Sequence, residues 1–462
     1  MSRCRGRLAS HERSVPARSR RVLTGVVIGI AVGLIASHAG SQEPSAPATK
    51  EQPTPPAVEA PPTLPAPAAP IATYPLELLG LLGPPARRGP LTLTPSIAVS
   101  EEYNDNVHGD NRNRESDFIT NFSPAITLSV NRPSYQLNAG YSFTSALYAK
   151  GTLPNEAFES QNLIGSGSWR LSQTLTLSAS DSFAYNKTAS NLVGVQGFSV
   201  GQQESLSNTL SPSMSWQFTQ LNTLSVGLTY SLLRYPGGNA SDSDTYGLNA
   251  TLSHAFTQRF SGNVGYNFTY LHFPSCVGVR QQCIDQPDSS TNTPTIGFNY
   301  QLTPTLSSSI NLGAAVTSRG GRTEVAPAGN ASLTQVFSFG TASLNYNQGV
   351  GVAGGFGGSN DNLSVSGLLT LNTLLRNLFV VFGPTYTRSN PLFQSVLGPA
   401  AAERFDLWQV SMNLGATYQI ARFVSAYGGY AFFVQRSGGS QADVDQNRVR
   451  FGLQFGYPFN FD

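Results

Sequence analysis

The sequence predicts an all-β protein: a single up-and-down antiparallel barrel of about 18 strands, with 16 as the alternative count, that crosses a membrane and follows a disordered N-terminal extension. Three observations carry this. Charged residues are 12% of the chain against the quarter or so usual in soluble domains, while aromatics reach 10% and mean hydropathy is −0.14. Beyond the N-terminal region no run approaches the roughly 18 to 20 apolar residues of a spanning helix, so a membrane has to be crossed by strands. From Leu91 onward, segments of about 10 to 15 residues alternate in polarity, as strands with lipid on one side and water on the other must.

Residues 1–39 join a basic start (Arg13, Arg18, Arg20, Arg21) to an apolar stretch from Val22 to Ala36 and the small residues Ser37 and Ala39. This is the pattern of a secretory signal peptide, the apolar run being too short for an anchor. Residues 40–90 are dominated by Pro and Ala, which cannot bury a core, and read as a periplasmic linker. Its apolar island, Leu76 to Leu82, is either a locally collapsed piece of linker or a segment that docks on a partner or tucks into the barrel mouth.

The third region, 91–462, is the barrel, with strands expected to begin near 91, 117, 135, 160, 174, 204, 223, 245, 260, 291, 306, 330, 341, 361, 378, 404, 423 and 448. An even number brings both ends to the periplasm. Turns such as Asn131 to Ser134 and Leu302 to Thr305 are tight and should face the periplasm, with long loops outside. Leu206 to Phe218 shows the register: Leu206, Asn208, Leu210, Pro212, Met214, Trp216 and Phe218 face lipid, and the intervening Ser, Thr and Gln face water. Tyr148, Trp169, Tyr185, Trp216, Tyr235 and Trp408 fall near strand ends, where an aromatic girdle belongs. Two stretches fit less well. Asn330 to Val350 gives short strands interrupted by Gly340, and Asp181 would point into lipid unless a bulge near Ser180 to Ser182 turns it inward.

The last segment is the most regular: Val449, Phe451, Leu453, Phe455, Tyr457, Phe459 and Phe461 alternate with polar or small residues, which makes it the closing strand. It resembles the C-terminal assembly signal of bacterial outer-membrane proteins, through Arg450, Gly452, Phe455 and Tyr457, with Asp462 following where that signal ends on an aromatic. The barrel-assembly machinery is the partner this resemblance implies.

At the other end lies Pro95-Ser-Ile-Ala-Val-Ser-Glu-Glu-Tyr-Asn-Asp-Asn-Val107. It resembles the opening strand of a family of outer-membrane β-barrel porins found with exopolysaccharide and surface-polymer systems, the β-barrel porin 2 type, whose members start with a similar Glu-x-Tyr-x-Asp-Asn pattern. The resemblance implies a cell outer-membrane channel for polymer export, with lipid and lipopolysaccharide around it and a polysaccharide as cargo. Read from the residues, Glu101, Glu102, Asp105 and Asn106 could gather calcium or, with Tyr103, contact a carbohydrate or ligand; the other reading is a polar strand end entering an outer loop.

Cys276 and Cys283 share one loop and are expected to form a disulfide in an oxidising compartment. No metal or cofactor is expected. For catalysis the chain offers His108, His254 and His272 beyond the signal region, none in a recognisable arrangement with a Ser or Asp. An outer-membrane hydrolase gains weight only if His108 or His272 lies beside an acid or Ser in a cleft. The net charge of +2 gives no footprint for nucleic acid. A non-enzymatic, porin-like transport channel is the expected function, with a structural or adhesive barrel as the other reading, because about 18 strands enclose a space that Ser, Thr and Gly cannot fill.

Overall fold

The computed structural model describes residues 90–187, 204–236, 240–274, 286–352, 354, 358–372, 375–393, 406–437 and 443–461. The segments expected to be a signal peptide and, save Pro90, a linker, and both Cys276 and Cys283, lie outside these residues.

In chain order the first strands are β1 (Leu91–Asn104), β2 (Asp117–Asn131), β3 (Tyr135–Tyr148), β4 (Glu156–Arg170), β5 (Leu175–Asn186), β6 (Ser205–Gln217), β7 (Asn222–Arg234), β8 (Ser243–Ala255) and β9 (Phe260–His272). They continue as β10 (Ser289–Thr303), β11 (Leu306–Arg319), β12 (Arg322–Phe337), β13 (Gly340–Gly351), β14 (Asn360–Leu371), β15 (Leu378–Pro391), β16 (Leu407–Ala421), β17 (Val424–Ser437), β18 (Val444–Gly456) and β19 (Phe459–Phe461). From β1 to β18 each strand pairs antiparallel with its sequence neighbour, and β18 returns to β1 from Ser96↔Gly456 to Asn104↔Arg448. Beyond Tyr457 and Pro458, β19 carries β18 onward and pairs with β1 from Leu91 to Leu93. The result is a closed barrel of 18 staves. Closure leaves no unpaired edge, the condition for strands in lipid.

Side chains alternate across the wall. On β18 Phe451 is 66% exposed on the outer face while Arg450, one residue earlier, is 5% exposed on the inner one. Outward Leu163 of β4, Leu228 of β7, Ile296 of β10, Leu344 of β13 and Leu414 of β16 are likewise exposed, so the belt runs around the ring. An apolar belt of this extent on a closed sheet is a lipid-facing surface.

The structure departs from the sequence expectations at four places. β12 begins at Arg322, not near 330, and runs 16 residues, while Gly340 opens β13 instead of interrupting a strand. The β11–β12 connection is a two-residue turn at the loop end of the barrel, Gly320 and Gly321 having φ of 55° and 79°. Glycine adopts such angles freely, and a tight hairpin needs them. No bulge occurs in β5: its pairing is continuous through Asp181↔Gly165 and Asp181↔Leu210, so Asp181 does face outward. Tyr148 and Tyr235 are not part of a girdle; both point inward and are buried, Tyr148 against Val107, Ile119 and Ala146, and Tyr235 with Leu233 and Ala240.

Candidate functional site

The inner wall is built from the alternate, small polar residues of each strand. On β4–β6 this places Ser166, Ser168, Ser178, Ser180, Ser211 and Ser213 side by side, and with Gln136 and Asn138 of β3 they line a recess of about 260 Å³. Ser178 and Ser213 hydrogen-bond to each other at 2.8 Å. Small hydroxyls keep the wall thin and can both donate and accept. On the far side of the ring the inner face also carries an apolar cluster, with Val381 packed against Leu368, Phe379 and Ala431.

Towards the loop end the wall is joined across strands that are not neighbours. Ser359, just before β14, meets Ser289 of β10 at 2.7 Å, both buried. Phe393, just after β15, lies with its ring centroid 5.7 Å from the Arg319 guanidinium of β11. The first contact spans β11, β12 and β13 and the second β12, β13 and β14, and both draw that side of the mouth inward.

The charged centre of the lumen is the seam between the first and last strands. Glu102 of β1 is 1% exposed and lies opposite Arg450 in the register. Its Oε1 accepts from Arg448 Nε at 2.7 Å; its Oε2 accepts from Arg450 Nε at 2.6 Å and Arg448 Nη2 at 3.1 Å. Two guanidiniums thus share one buried carboxylate. The loop after β1 extends the clasp: Asp105 accepts from Asn447 N (2.8 Å) and Nδ2 (2.7 Å), Asn106 Nδ2 donates to the Asp445 carbonyl (2.8 Å), and Gln446 Nε2 donates to the Asn106 carbonyl (2.7 Å).

The motif at the end of β1 is therefore divided. Glu102, Asp105 and Asn106 turn to β18, whereas Glu101 and Tyr103 face outward, Glu101 accepting from Thr120 Oγ1 at 2.6 Å and Tyr103 packing on Phe118 at 5.1 Å. The closing-strand residues divide in the same way. Arg450 enters the clasp, and Gly452 faces inward where an added Cβ would lie 2.6 Å from the Val99 carbonyl and 2.6 Å from the Tyr427 ring. Phe455 and Tyr457 face outward, Tyr457 between Phe423 at 4.7 Å and Phe459 at 4.9 Å. The pairing of Glu102 with Arg448 and Arg450 is absent from the sequence reading, although alternation already puts all three on the inner face.

His108 and His272 do each lie beside an acid, on the outer rim: His108 faces Glu115 at 3.4 Å and His272 faces Asp288 at 3.0 Å. Neither imidazole hydrogen-bonds a serine, threonine or cysteine among the described residues. His254 pairs with Asn222 at 2.8 Å at the tight-turn end. Asp288 also accepts from Tyr270 Oη at 2.6 Å and Phe273 N at 3.1 Å. Burial raises its pKa, but the bonds from Tyr270, His272 and Phe273 outweigh this and hold it below the ordinary carboxylate value. It ties down the end of β9 and carries no nucleophile.

A closed, antiparallel barrel with an apolar outer belt and a polar inner wall is a transmembrane barrel of the outer-membrane type. No known family's sequence profile matches the chain, and no curated protein matches it. Among solved structures it is similar to Pseudomonas aeruginosa OpdL, with 12% identity and a TM-score of 0.39 over 80% of this chain and 99% of that one. Similar too are Acinetobacter baumannii OccAB4 (12%, 0.41, 81% and 100%) and the Pseudomonas aeruginosa siderophore receptor PirA (10%, 0.37, 81% and 81%). At these identities and scores the likenesses carry no argument about what this barrel conducts.

Proposed function

We propose that the protein is a passive, water-filled outer-membrane channel for hydrophilic, hydroxyl-rich solutes, with a surface or secreted polysaccharide as its cargo. The observation that supports this is the serine-lined inner wall of β4–β6. Its hydroxyls can exchange hydrogen bonds with sugar hydroxyls while gripping none of them, and weak repeated contacts favour passage over retention. The polysaccharide part rests on the likeness of Pro95 to Val107 to the opening strand of polymer-associated porins. Within that stretch we read Glu101 and Tyr103, which face outward near the loop end, as contacts for the sugars of lipopolysaccharide.

Purified protein in planar bilayers should give steady, weakly ion-selective conductance, and deletion in the native host should lower an extracellular polymer. Conductance with no polymer defect would leave a general porin. An ion-tight barrel would overturn the channel in favour of an adhesive role, to which the inward-drawn mouth at Ser289 and Ser359 would then belong.

A further inference from the structure

The outer face of β4–β6 carries a polar pair where the belt is otherwise apolar. Asp181 stands near the middle of the 12-residue β5, in line with outward Leu177, Ala179 and Phe183. Its Oδ1 accepts from Asn208 Nδ2 at 2.9 Å, and Asn208 shares the outward face of β6 with Leu206 and Leu210. Polar side chains at this depth are costly against acyl chains and are retained where something answers them. One hydrogen bond does not. The second carboxylate oxygen of Asp181, and the second N–H and the Oδ1 of Asn208, have no partner among the described residues.

The surface beside the pair is low. Gly165 lies directly across from Asp181, and a Cβ built there would meet nothing within 4 Å. Gly167 and Ala179 continue the flat area on the same face. In lipid, where apolar contact gives no net drive, association depends on close backbone approach over small residues and on hydrogen bonds between chains. This patch offers both.

We infer that the Asp181–Asn208 patch is where a second copy of this chain docks within the membrane. The pair is self-complementary. It holds an acceptor and a donor side by side, so a twofold axis between two copies sets the Asn208 amide of each against the free carboxylate oxygen of the other. An acyl chain can supply neither group, and a lipid headgroup does not reach the middle of the strand. The inference stands independently of what the lumen conducts.

Sedimentation of the purified barrel, in detergent and after return to lipid nanodiscs, tests it. The unaltered protein should be dimeric or larger. Asp181→Leu, which removes a polar group from lipid and so should not harm folding, should weaken association at least tenfold. Gly165→Trp, which leaves the polar pair intact but raises the surface beside it, should do the same. Asp181→Asn, which can still accept and donate, should associate as the unaltered chain does. Heat-modifiable migration confirms that each variant is a closed barrel. A monomeric unaltered protein in both media overturns the inference, and so does association indifferent to either Asp181→Leu or Gly165→Trp.

Discussion

Glu102 shows how much of this barrel depends on single buried groups. Its carboxylate is buried and takes the charge of two arginines whose side chains are themselves only 12% and 6% exposed, for Arg448 and Arg450. Such a cluster is weak evidence of net stability, since all three groups lost their water on burial. Removing one member is another matter, because the remaining charges are stranded. Glu102→Gln should therefore destabilise the barrel by about 3 to 5 kcal/mol, read as a fall in the urea midpoint for loss of heat-modifiable migration. Glu101→Gln, one residue away on the exposed outer face, should change stability by no more than about 0.5 kcal/mol. Equal effects from the two would contradict the seam clasp. The inward position of Glu102, Arg448 and Arg450 was legible from alternation. That they meet was not, because a period of two assigns a face and says nothing of which residue lies opposite across the closure.

Among the strands, the β11–β12 hairpin is set by its turn. Gly320 and Gly321 both have positive φ, so replacing the two with valine should cost roughly 1 to 2 kcal/mol at each position, whereas Gly320→Asn should be close to neutral because asparagine tolerates the same region. Refolding yield into liposomes is the measurement; a valine pair as well tolerated as Asn-Gly would argue against the tight turn. This hairpin is also where sequence reading misplaced a strand, and the reason is physical. From Val325 to Gly329 the outward residues are Val325, Pro327 and Gly329 and the inward ones Ala326 and Ala328, so both faces are apolar or small and the alternation fades. Elsewhere the alternation was strong enough to place a strand within a few residues of each observed one. Asp181 failed in the opposite direction: the pattern there was read correctly as outward and then set aside because a charge in lipid is expensive, whereas the sheet keeps its register and gives the carboxylate a neighbour, Asn208.

For the whole molecule, the seam between β1 and β18 is what turns a long meander into a barrel. Removing Phe451 to Asp462 should abolish heat-modifiable migration and leave the chain extractable from membranes by urea, since the edge it opens on β1 has no other strand to pair with. A truncated chain that still migrated as a compact barrel would place closure elsewhere. The same seam joins residues 346 and 348 positions apart in the chain, Glu102 to Arg448 and Glu102 to Arg450, while nearly all other pairings are between consecutive hairpins. Bringing the ends of a flexible chain of that length together costs on the order of 5 kcal/mol in loop entropy, against far less for any one hairpin. Closure is thus the single non-local strand pairing in an otherwise local folding problem. Until β18 pairs with β1, both carry a free edge that something else has to cover in lipid, and a cluster of opposite charges on the two strands gives the closing pair a register to find.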